Sequence, residues 1–137
     1  MSRRSRAREV ALQVLFQDDL NPVDPPPDAI SFLNQRLTTA DLVDLATTLV
    51  VGVRRNRDQL DQLLQTAAEN WTVSRMAASD RNVLRLGAFE LLYMETPNRV
   101  SVDEAVELAK RYGSAQSASF VNGILDRLLN TQNPSPE

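Results

Sequence analysis

Between Val83 and Tyr93 the chain reads VLRLGAFELLY, apolar on most sides of a helix, and such a segment is stable only when other helices surround it. The rest of the sequence supplies that shell. Apolar residues recur at three- and four-residue steps as Ala7, Val10, Ala11, Val14 and Leu15, then as Leu42, Leu45, Ala46, Leu49 and Val53. The same spacing returns in Leu60, Leu63, Leu64 and Ala67, and again in Phe120, Val121, Ile124, Leu125, Leu128 and Leu129. No stretch alternates with period two, no internal repeat is present, and the 4 glycines form no phosphate-binding loop. The expected fold is all-α, a compact bundle of about seven helices.

Local signals set the expected boundaries. Ser5 is placed to cap a first helix that ends near Asp19, and NPVDPPPD (21–28) must be a loop because prolines lack the amide donor. AISFLNQRL reads as a short helix, and the segment from Ala40 to Trp71 as one long helix or two. Ser79 and Asp80 open the central helix and TPN closes it. Ser101 with Glu104 has the spacing of a capping box, Gly113 suits a left-handed stop, and the last helix starts around Ser117. Residues 1–130 are expected to form one domain, followed by a disordered tail at 131–137.

At 137 residues, the chain is long enough to bury roughly 70% of its unfolded surface. It has no cysteine and no histidine, which excludes thiolate chemistry and removes the commonest general base and metal ligand. No cofactor, metal site or catalytic group is expected. Asp41 with Asp44 and Asp103 with Glu104 fall at helix starts, where negative charge is favoured in any case. Glu90 lies on a mostly apolar helix and needs a partner, for which Arg85, Arg111 or a backbone amide would serve. Trp71 and Phe89 continue apolar stripes and are read as packing residues.

One feature opposes the overall charge of −3: Arg3, Arg4, Arg6 and Arg8 stand before any acidic residue. A guanidinium fork can hold phosphate and stack on an unpaired base, so the run suits single-stranded RNA, but a solvated arm has the same composition. Near the other end, Gly123 follows Asn122 and would either pack a helix closely or admit a foreign backbone. The residues alone leave both questions open.

The segments RRSRAREVALQVLFQ, WTVSR, DRNVLRLGAFELLY, VDEAVELAKRYG and SFVNGILDRL occur in the order and approximate spacing of the NusB family, which the chain resembles from Arg3 to about Leu129. That resemblance implies two packed helical subdomains. It further implies a cytoplasmic bacterial transcription antitermination factor, binding the boxA segment of nascent ribosomal RNA together with the ribosomal protein NusE within the RNA polymerase antitermination complex. By the same resemblance, Arg3, Arg4, Arg6, Arg8 and Phe16 form part of an RNA face. Gln116, Ser117 and Phe120 form a second patch, Arg85 is a basic RNA contact, and Asp80 lies near the partner surface. Many members carry an acid where this chain has Gln116. A homodimer stays open. So do two other readings: the RNA-binding part of a ribosomal RNA cytosine methyltransferase, and a helical protein-interaction module without RNA.

Overall fold

The computed structural model describes residues 2–132, and among them every regular element is helical. Six α-helices follow one another: α1 (Arg3–Leu20), α2 (Ile30–Arg36), α3 (Ala40–Ala68), α4 (Ala78–Tyr93), α5 (Asn98–Tyr112) and α6 (Ser117–Gln132). A single 3-10 turn, Val73–Arg75, lies between α3 and α4. Asn56 leaves helical geometry (φ −110°, ψ 15°), so α3 is one helix with an interruption, and counting its halves separately gives the expected seven. The same place divides the chain into two compact units, one up to Arg55 and one from Asn56 onward. The expected tail at 131–137 begins two residues too early, since Thr131 and Gln132 continue α6; the remainder of it lies outside the described residues.

In the first unit the apolar stripes read from the sequence are the core: Ala7, Val10, Ala11 and Leu15 of α1, Leu33 of α2, and Leu42, Ala46, Leu49 and Val53 of α3 are all buried. Ser5 does not cap α1. The cap is Ser2, whose Oγ accepts the Ser5 amide at 3.1 Å, because α1 begins a turn earlier than the apolar periodicity indicates. The proline loop is fastened by Arg54, which grips Asp18 with both arms of its fork (2.7 and 2.9 Å) and donates to the Pro27 carbonyl at 3.0 Å.

In the second unit α4 is the central helix, buried without interruption from Asn82 to Leu91 and packed against α5 and α6. Gly87 allows the close packing: a Cβ there would stand 3.0 Å from Leu125 Cδ1 and 3.1 Å from Ala105 Cβ. Glu90 is buried in this helix and engaged within the protein.

Two helix-end signals have other roles. The Ser101 amide already donates to Pro97 at 3.1 Å, so Ser101 lies inside α5 and its buried Oγ has no hydrogen-bond partner. Pro97, free of an amide to satisfy, starts the helix in its place. Gly113 ends α5 in extended geometry (φ −101°, ψ −165°), not left-handed. Glycine is required there by space, since a Cβ would stand 2.2 Å from Ser117 Oγ and 2.8 Å from the Ala109 carbonyl.

Candidate nucleic-acid interface

In the first unit, the arginine run begins α1 and its members have different surroundings. Arg4 is exposed. Arg3, 65% exposed, donates to Thr39 (3.1 Å) and Asp41 (3.2 Å) at the start of α3. The Thr39 hydroxyl first, and Arg3 after it, hold the Asp41 carboxyl below its ordinary range, so the pair stays ionised at neutral pH. Because both partners are solvated, the pair is weak and a phosphate can displace it. Arg6 is half-exposed and paired with Glu9.

Arg8 departs from expectation. At 2% exposure it does not project from the core, because the helical turn carries position 8 onto the stripe of Ala11 and Leu15. The surface cations of the run are therefore Arg3, Arg4 and Arg6. Phe16, on the same helix, is half-buried.

In the second unit the surface centres on an aromatic residue that the sequence pattern assigns to the core. Trp71 is 56% exposed, and its ring meets Phe120 edge-on with centroids 5.1 Å apart and planes at 78°. The apolar stripe of α3 would have carried Trp71 inward, four residues after Ala67. The helix stops first, at Ala68, as Glu69 turns left-handed (φ 52°). Such a turn is normally marked by glycine or asparagine, so Glu69 gives no sequence signal, and only Asn70 beside it hints at a stop.

The segment carrying Trp71 is held at several points. Gln65 donates to the Trp71 carbonyl (2.6 Å) and accepts the Val73 amide (3.0 Å), clamping both sides of the turn with one side chain. Arg81 donates to the carbonyls of Val73, Ser74 and Met76 at 2.9 to 3.3 Å. Arg127 Nε reaches back from α6 to the Ala67 carbonyl at 2.7 Å, placing a cation at the negative end of α3. A backbone held in this way lowers the entropic cost of ordering the exposed indole against a ligand.

Gln116 is exposed beside this pair, and its carbonyl accepts the Phe120 amide as α6 begins. Ser117 and Arg85 are placed differently from expectation. Ser117 is 1% exposed and its Oγ accepts the Ser114 amide at 2.8 Å, so it fastens the α5–α6 turn. Arg85 is 4% exposed and forks onto Asp61 (2.7 and 2.9 Å), with Nη1 donating to Asn82. Neither offers its polar group to a strand at the surface, because the α4 and α6 turns that carry them face inward. Asp80 is half-exposed in the first turn of α4, and its Oδ1 is buried without a hydrogen-bond partner.

The fold and these surfaces describe an all-helical chain with a basic helix start in one unit and a braced aromatic pair in the other. The chain belongs to the NusB family, whose sequence profile matches residues 5–130. It is 43% identical to the transcription antitermination protein NusB of Anaeromyxobacter dehalogenans (strain 2CP-1), over 98% of this chain and 95% of that protein. Among solved structures it is similar to Thermotoga maritima NusB, at 35% identity and TM-score 0.81, covering 99% of this chain and 94% of that one. A structure of the antitermination factors NusB and NusE in complex with double-stranded RNA matches at 26% identity and TM-score 0.80, covering 96% and 98%.

Proposed function

We propose that this protein is a transcription antitermination factor that binds the boxA segment of nascent ribosomal RNA as a single strand, together with NusE. The observation that carries this reading is the end-to-end similarity to proteins named for antitermination, at 43% identity over 98% of the chain. The similar NusB–NusE structure with RNA supports both partners. On this reading, Arg3, Arg4 and Arg6 meet backbone phosphates while Trp71 and Phe120 stack on bases, the division of labour that flexible single strands require. Asp80 belongs to the surface that meets NusE, and the chain's acidic surplus complements a basic ribosomal protein.

The protein acts by assembly in the cytoplasm and is not an enzyme. The relative matched at 43% identity over 98% of this chain is named for antitermination, which favours that reading over a methyltransferase segment.

The arginine run provides a quantitative test. If Arg3, Arg4 and Arg6 each neutralise one phosphate, replacing all three with alanine flattens the dependence of log affinity on log salt by about 2, at roughly 0.7 per contact. Affinity falls equally for boxA and scrambled RNA, because phosphate contacts position a strand without reading it. Titration of both RNAs at four salt concentrations measures this. An unchanged slope would reduce the run to a solvated arm.

A further inference from the structure

Glycine inside a helix lowers stability relative to alanine, so a helical glycine needs a reason. Gly87 has one in the side chains that crowd it. Gly123 does not: a Cβ added there would meet only the Arg127 Nη1, at 3.5 Å, an ordinary contact with the end of a flexible side chain. The packing of this chain thus leaves the position open to a side chain that the sequence withholds.

Its surroundings indicate what benefits. Phe120, Gly123 and Arg127 follow one another at steps of three and four, so they form one stripe along α6, and Gln116 stands just before the helix, four residues ahead of Phe120. Phe120 carries the Trp71 edge contact at one end of the gap, and the Arg127 guanidinium, anchored through Nε to Ala67, stands at the other. Asp126, beside the stripe, accepts the Asn122 amide at 3.3 Å, which leaves the Arg127 side as the cationic one. We infer that Gly123 keeps a bare patch of helix on which the sugar-phosphate of a nucleotide lies, its base stacked on the Trp71–Phe120 pair and its phosphate facing Arg127. Spacing favours a nucleotide over a peptide, since a flat aromatic surface, an open backbone and a cation follow in the order of base, ribose and phosphate. This rests on the RNA-binding reading and adds to it a steric residue and a phosphate contact.

The test is Gly123→Ala in the full chain, with a boxA RNA oligonucleotide as probe. Its melting temperature should rise by about 2–4 °C, because the new methyl group favours helix and meets no obstruction. RNA affinity should fall by about tenfold or more, and the salt slope should flatten by no more than the roughly 0.7 of one phosphate contact, the one at Arg127. Wild-type affinity in the variant would overturn the inference while leaving the RNA-binding reading intact. A lower melting temperature would also overturn it, making Gly123 a packing residue, as would lost NusE binding with RNA binding retained. A wild-type chain that binds neither boxA nor scrambled RNA would instead remove the reading on which the inference rests.

Discussion

Replacing Trp71 and Phe120 together with alanine is expected to weaken boxA RNA binding by 2 kcal/mol or more, roughly thirtyfold, at about 1–3 kcal/mol per stacked base. The two side chains differ in what else they do. Trp71 is 56% exposed and its backbone is held independently by Gln65, so Trp71→Ala alone should change stability little. Phe120 is half-buried, and its replacement also removes packing at the start of α6, so Phe120→Ala should lower the melting temperature as well. Measuring RNA affinity and thermal melting on both single variants separates the two effects. A Trp71→Ala protein with unaltered affinity would show that the exposed indole does not contact RNA.

The second large effect concerns Arg85. Its guanidinium is 4% exposed and forms two hydrogen bonds to Asp61, whose side chain is 29% exposed. Arg85→Ala should destabilise the protein by about 2–4 kcal/mol, by leaving the Asp61 carboxylate without its cation and opening space beside α4. Partial exposure of Asp61 keeps the loss below that of a fully buried pair. Urea denaturation measures it, and RNA affinity per folded molecule should stay near wild type. The reverse pattern, preserved stability with lost RNA binding, would return Arg85 to the interface where family resemblance puts it.

These residues show how far the sequence could be read. The helical periods give α1, α4 and α6 and most of their core faces, because burial of a stripe is encoded in the spacing of its apolar residues; Phe120 and Leu129, read into the α6 stripe, are only half-buried. What spacing does not encode is where a helix stops. Trp71 continues the period of α3, but the left-handed Glu69 ends the helix three residues short of it, turning an apparent core residue outward. Arg8 illustrates the converse: four arginines in a row of positions look equivalent, yet the 100° turn per residue buries one of them among Ala11 and Leu15. Ser117 and Arg85 are polar residues that a surface role and an internal hydrogen bond would explain equally well, and only the positions of Ser114 and Asp61 distinguish these. Gly113 and Gly123 likewise look alike in sequence. One is surrounded at 2.2 to 2.8 Å and the other meets a single side-chain end at 3.5 Å.

The central claim is that this chain recognises boxA RNA as a single strand in company with NusE. Its most direct test is equilibrium binding of the wild-type protein to three RNAs, single-stranded boxA, a scrambled strand of equal length and a boxA duplex, each with and without NusE at one fixed near-physiological salt concentration. The account predicts tightest binding to single-stranded boxA, weaker binding to the scrambled strand and the duplex, and a larger preference for boxA when NusE is present. Equal affinity for all three RNAs, unaffected by NusE, would contradict it.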